Sequence, residues 1–143
     1  MDIKNLFFVL AISIGLTSGA YAQGEHEHGK AQVKVLAKST KSWDGSTLPK
    51  YGQGQPEVQV LKITIPAGAK LPMHKHPVIN AGYLMKGELE VTTEQGEKKT
   101  IKAGDALIEV TNKWHYGRNI GNEPAEIIVV YASTEGSPIT VLK

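Results

Sequence analysis

Short apolar segments with a side-chain period of two, each closed by glycine or proline, constrain this chain more than any other feature. Residues 57–65 (EVQVLKITI), 88–93 (ELEVTT), 97–101, 106–110 and 125–132 (AEIIVVYA) are such segments. Pro66, Gly68, Pro72, Pro77, Gly87, Gly104, Gly117, Gly121 and Pro124 fall in the gaps between them. A period of two sends alternate side chains to opposite faces of a strand, and nothing beyond the N-terminal region repeats with the 3.6 period of a helix. An all-β sandwich or barrel of about eight strands is expected. Glu94-Gln95-Gly96 reads as the turn of a hairpin between two of the segments. Val58 and Val60 share one phase while Leu61, Ile63 and Ile65 share the other, which predicts a bulge near Val60. Residues 41–55, rich in Gly, Ser, Lys and Pro, read as one long loop, and the tail beyond Ala132 is expected to pack loosely over the domain.

The first residues read as an address. Lys4 precedes an apolar run of eleven residues, Leu6 to Leu16, and the next segment, Thr17–Ala22, ends in Ala20-Tyr21-Ala22. About twenty apolar residues are needed to span a bilayer, so a cleaved signal peptide is favoured over a stable membrane anchor. The expected organisation is a signal peptide over residues 1–22 and a polar leader, loop and first-strand region over 23–56. A β-barrel domain over 57–143 completes it. With no twin-arginine pair, the chain would cross the membrane unfolded, become periplasmic or secreted, and acquire any metal afterwards. His26 and His28 in the leader (QGEHEHGKA) could scavenge metal weakly, although such a stretch is more often solvated and disordered.

Composition removes other function classes. The 143 residues hold 16 Lys+Arg against 14 Asp+Glu, a net charge of +2 with no basic run, too little for an electrostatic grip on nucleic acid. There is no cysteine, so disulfides, thiolate metal sites and cysteine nucleophiles are excluded.

Three of the five histidines remain inside the strand-rich region. His74 and His76 are two apart, so a strand would put both imidazoles on one face. Asn80 shares their parity, and His115 follows some forty residues later. Three neutral imidazoles suit Zn, Cu, Ni or Fe better than Mg or Ca. A bare His-x-His pair is weak evidence, and two surface histidines would be the commoner explanation.

The surrounding residues change that weighting. Gly68-x5-His74-x-His76-x3-Asn80-x6-Gly87 resembles the first sequence motif of the cupins, with Asn80 where that motif has Glu. Gly104-x5-Val110-x-Asn112-x2-His115-x3-Asn119 resembles the second, with Val110 and Asn112 in place of Pro and Gly. The resemblance implies a single-domain, conical cupin β-barrel (a double-stranded β-helix or jelly roll). It also implies one divalent transition metal, Fe, Zn, Cu, Ni or Mn, held by His74, His76 and His115. Asn80 would ligate weakly through its carbonyl or hydrogen-bond a bound water. With an amide in place of the carboxylate the centre resembles the three-histidine cupins. Its uncompensated charge should then favour an anionic or chelating ligand.

Two further residues are candidates for catalysis. Glu109, in an otherwise apolar segment, is either a substitute carboxylate that orients a ligand or moves a proton, or an outward-facing strand residue. Arg118 could grip a substrate carboxylate bidentately. Tyr83, Met73, Met85, Trp114 and Tyr116 neighbour the histidines and are candidates for the pocket wall. The expected function is an exported metalloprotein, a dioxygenase-type enzyme on a small chelating or anionic substrate. The alternative is a non-catalytic protein that holds a metal or small ligand in the same barrel. By the same resemblance a homodimer is expected. Mass spectrometry of the exported fraction should show a chain beginning at Gln23, and an intact N-terminus recovered from membranes would overturn the signal-peptide reading.

Overall fold

Alternation between buried and exposed side chains is strictest in the longest strands, and it divides the domain into two walls. The computed structural model describes residues 31–143, and the expected signal peptide and most of the polar leader, with His26 and His28, lie outside the described residues. Within Lys34–Lys143 the strands are β1 (Pro56–Ile65), β2 (His74–Lys75), β3 (Ile79–Lys86), β4 (Glu88–Thr93), β5 (Lys98–Lys102), β6 (Ala106–Ile108), β7 (His115–Asn119), β8 (Ala125–Thr134) and β9 (Val141–Leu142). No helix occurs among the described residues. One sheet runs β1-β8-β3-β6 and the other β5-β4-β7-β2-β9, with every pairing antiparallel. This is the all-β double-stranded β-helix that the sequence led us to expect.

The inner faces follow from parity. Ala125, Ile127, Val129, Tyr131 and Ser133 of β8 are buried in strict alternation, and Leu89 and Val91 of β4 face them from the other sheet. Leu84, Ile101 and Leu107 complete the apolar core. Burying side chains of this size is the main favourable term holding two such sheets together.

The expected bulge near Val60 is absent. Pairing of β1 with β8 runs unbroken from Pro56↔Thr134 to Ile65↔Ala125. Leu61, Ile63 and Ile65 turn inward, while Val58 and Val60 stay on the outer face, 65% and 62% exposed. The two phases are therefore the two faces of one regular strand, one of which carries exposed valines. The register shifts instead within β3, between Leu84 and Lys86.

The hairpin at residues 94–96 forms as expected, with Thr93 N donating to Glu97 O and Gly96 at φ 88°. Gly87 joins β3 to β4 at φ 86°, and a Cβ there would meet the Ala125 backbone at 2.8 Å, so the motif glycine answers two constraints at once. Asn112 stands where the second motif has glycine, and its φ is 57°. Asparagine is among the residues best suited to this left-handed region, so the substitution preserves the turn. The Asn112 N–H donates to the His76 carbonyl at 2.8 Å, which ties the two motifs together.

The tail does more than the sequence suggested. β8 extends to Thr134, and Val141 pairs with Lys75. The loop at residues 41–55 is irregular as expected, but Trp43 N donates to Ile108 O and Ser42 Oγ donates to Glu109 O, so it continues the wall beside β6.

Asn119 closes the end of β7. It is fully buried, its Nδ2 donates to Ile65 O and Glu123 O at 2.9 and 2.8 Å, and its Oδ1 accepts from Gly121 N. Asn119→Ala would leave all three backbone groups without this partner, the Ile65 carbonyl in a buried position and the other two part-buried. We expect a loss of about 2–4 kcal/mol, read from urea unfolding at constant slope.

Candidate metal centre

His74 and His115 are direct cross-strand partners on β2 and β7, and His76 follows at the end of β2. Their ring centroids are 4.5 to 5.1 Å apart. The atoms each could offer to an ion all lie within 4.8 Å of one another. The i, i+2 spacing thus brings both imidazoles of the pair into the barrel, as expected.

Each ring is oriented by a backbone carbonyl. His74 Nδ1 lies 2.8 Å from Pro72 O, His76 Nδ1 2.8 Å from Ile139 O, and His115 Nδ1 2.9 Å from Lys113 O. A carbonyl only accepts, so Nδ1 carries the hydrogen in all three, and Nε2 of the neutral ring presents its lone pair. This is how metal-ligating histidines are held. The donor set fits a divalent transition metal.

Burial keeps the rings in the form that binds. It pushes the His76 pKa down to about 4, with the charges of His115 and His74 acting in the same direction against the Ile139 hydrogen bond. Burial likewise lowers His74 and His115.

The histidines close one end of a cavity of about 280 Å³ with mostly apolar walls, among them Leu61, Ile63, Leu107 and Val129. Of its other polar groups, Tyr131, Asn80 and Glu109 form a single rung of the opposite sheet, and Thr140 comes from the tail. Asn80 pairs with Tyr131 across β3 and β8, and Glu109 N donates to Asn80 O at 3.1 Å on the other side. Asn80 is 3% exposed, and its Nδ2 has no hydrogen-bond partner. Tyr131 lies 5.3 Å from the His76 ring, centroid to centroid. Burial raises its hydroxyl pKa.

Glu109 faces the cavity. Its Oε1 accepts from Trp43 Nε1 at 2.7 Å and from its neighbour Val110 N at 2.8 Å, while Oε2 lies 3.9 Å from His115 Nε2. Burial raises its carboxyl pKa against those two hydrogen bonds. Of the two readings left open by the sequence, the outward-facing one is set aside.

Arg118 is not brought to this site. It is exposed on β7, one residue out of phase with inward-facing Gly117 and Asn119, and cross-strand from Glu90. Trp114 and Tyr116 share its parity, and Tyr83 and Met85 lie on the exposed face of β3; none of these, nor Met73, lines the cavity. Lys70 sits over the Tyr116 ring and Lys75 over Trp114, on the outside of the barrel. Counting parity from His115 would have excluded Trp114, Tyr116 and Arg118. What the sequence did not reveal is Tyr131, which a run of apolar neighbours conceals, and Thr140, whose hydroxyl lies 3.2 Å from His76 Nδ1.

Residues 61–131 match the Cupin domain model. The chain belongs to the cupin superfamily. Among solved structures it is similar to an oxalate oxidase in complex with the substrate analogue glycolate. That match has 25% identity and a TM-score of 0.52 over 59% of this chain and 45% of the oxidase. The DMSP lyase DddQ from Ruegeria pomeroyi matches at 20% identity and TM-score 0.51, over 60% of this chain and 43% of the lyase. A double-stranded β-helix protein from Klebsiella pneumoniae, of uncharacterized function, matches at 23% and 0.52, over 65% of this chain and 88% of its own. The chain spans less than half the length of the oxidase and the lyase. No curated protein matches it in sequence.

The lowered imidazole pKa values set the acid behaviour of the metal-free cupin. Stability from these rings is intact above their usual pKa of 6.5 and drains as pH falls through the folded values toward about 4. Glu109 acts with the opposite sign, since its raised pKa favours the folded state at low pH and that contribution is lost as pH rises. Three groups oppose one. The melting temperature of the apoprotein should therefore fall between pH 7 and pH 4, by calorimetry, and His76→Gln should flatten the profile.

Proposed function

We propose that this cupin is an exported, mononuclear metal-dependent enzyme of the dioxygenase type, acting on a small anionic or chelating substrate. The observation that carries this reading is the set of three imidazoles, His76 and His115 buried and His74 half-buried, each turned by a backbone carbonyl to present Nε2 to an apolar cavity. When bound, the metal supplies a Lewis-acidic or redox-active centre for the substrate.

The chain's own contribution is orientation and exclusion of water. A cavity of about 280 Å³ is at the small end for ligand sites, so the substrate is small. Its apolar walls strengthen every polar contact made inside. Asn80 Nδ2, buried with no partner, is a donor placed for a ligand oxygen. An oxalate oxidase structure carrying glycolate, 25% identical to this chain, supports a small oxygen-rich anion. Export after Ala22 belongs to the same proposal, as does homodimerisation, which would cover the exposed row of Val58, Val60 and Val130 on the outer sheet face.

Oxygen uptake on protein loaded in turn with Fe, Cu, Ni, Mn and Zn, offered diketones, flavonols and thiols and normalised to bound metal, tests the reading. Consumption in the wild type that disappears in His115→Ala supports it. Anion binding without oxygen uptake on any of these metals would replace it with a non-catalytic holding protein. His74→Ala, His76→Ala or His115→Ala should each weaken Zn²⁺ binding by orders of magnitude, because two imidazoles lack the chelate advantage of three. His26→Ala with His28→Ala should leave the tight site unchanged.

A further inference from the structure

We propose that Glu109 is a fourth protein ligand of the metal, the carboxylate having moved one strand across from the position that Asn80 occupies. The inference rests on the metal centre proposed above and adds to it a donor from the loop-supported end of β6.

Register makes the exchange possible. Ala81 pairs with Ile108, and Glu109 N donates to Asn80 O, so the two residues are neighbours on one rung of the sheet. Both side chains face the same cavity. A carboxylate on either residue can therefore approach the same space from the same wall. Glu109 is the one carboxylate among the residues lining that cavity.

The contacts of Glu109 divide between its two oxygens. Oε1 is engaged by Trp43 Nε1 and Val110 N, and Ser42 Oγ holds the residue's own carbonyl. The loop that supplies Trp43 is in turn fastened by the ion pair between Asp44 and Lys113. Lys113 is the residue whose carbonyl orients His115. Carboxylate and imidazole are thus positioned by one connected set of bonds.

Oε2 is left toward the histidines, 3.9 Å from His115 Nε2. Nitrogen and oxygen donors bind Zn²⁺ at about 2.0–2.2 Å, so two donors on one ion stand at most about 4.2 Å apart. The separation from His115 satisfies that limit, while Glu109 stands outside the cluster in which the three imidazole donors all lie within 4.8 Å of one another, so ligation draws its side chain toward the ion. Fixing one oxygen by hydrogen bonds while the other stays beside an imidazole donor is the support expected of a ligating carboxylate.

Asn80 then acquires a different task. Its unpartnered Nδ2–H is a donor, which a glutamate at that position would not be. Ligation and donation are divided between adjacent residues, with Glu109 facing the metal and Asn80 facing the metal's exogenous ligand. One negative charge returns to the centre, so its appetite for anions is smaller than three neutral imidazoles alone would give.

The test uses the full chain carrying His26→Ala and His28→Ala, so that the leader contributes nothing, with Zn²⁺ and Co²⁺ as probes. Glu109→Gln should lower Zn²⁺ affinity about 10–100-fold in chelator competition and change the Co²⁺ visible spectrum. Asn80→Glu combined with Glu109→Gln should recover most of the affinity by returning a carboxylate to the neighbouring position. Infrared difference spectra of the Glu109-containing chain with and without Zn²⁺ should show a shifted carboxylate stretch, and this measurement stands even if Glu109→Gln fails to fold. Zn²⁺ affinity within about threefold of the parent in Glu109→Gln, or no carboxylate shift in the parent, overturns the assignment. His115→Ala separates the two levels: if it loses Zn²⁺ while Glu109→Gln keeps it, the three-histidine centre stands and the fourth ligand falls.

Discussion

Three backbone carbonyls decide what this barrel can do. Pro72, Ile139 and Lys113 accept from the Nδ1 atoms of His74, His76 and His115, and each bond fixes a tautomer and a ring plane. Without them the imidazoles would be free to turn their protonated nitrogen inward, and the cluster would repel a cation. The carbonyls come from three different segments: the approach to β2, the tail before β9 and the approach to β7. Pro72 and Lys113 support their histidines from two residues away, but the three imidazoles meet, and Ile139 reaches His76, only when the sheets close.

This dependence gives the irregular segments their importance. The tail supplies Ile139 O to His76 and pairs with β2, so it is part of the candidate metal centre. The loop at residues 42–46 reaches Glu109 through Trp43 and Ser42, and reaches the His115 approach through Asp44 and Lys113. Both segments lack the alternation that marks a strand, which is why one read as a long loop and the other as a loosely packed tail. Their order comes from hydrogen bonds to distant residues, and such bonds leave no periodic trace in a sequence.

Differences from the cupin motifs have physical counterparts. Asn112 adopts the left-handed backbone that the motif glycine would take, at φ 57°, and its N–H holds the His76 carbonyl. Asn80 removes a carboxylate at the spot where Glu109 stands beside it on the next strand. The first substitution conserves a backbone conformation, while the second redistributes charge and hydrogen-bond donors over one rung.

What the sequence by itself determined was everything that repeats or recurs at fixed spacing. The two-residue period and the Gly and Pro between segments specified two antiparallel walls, and the motif spacings specified which histidines would meet. The same period already contained the facing of Arg118, which shares no parity with His115, and the regularity of β1, whose exposed Val58 and Val60 imitated a phase slip. Tertiary structure alone decided the rest. Whether Glu109 turned inward depended on Trp43, sixty-six positions away in the chain, and the role of Tyr131 depended on its pairing with Asn80 across two strands. Local sequence determines which face a residue can occupy, because backbone geometry is local. Which atoms await it on that face is determined by the closure of the sheets.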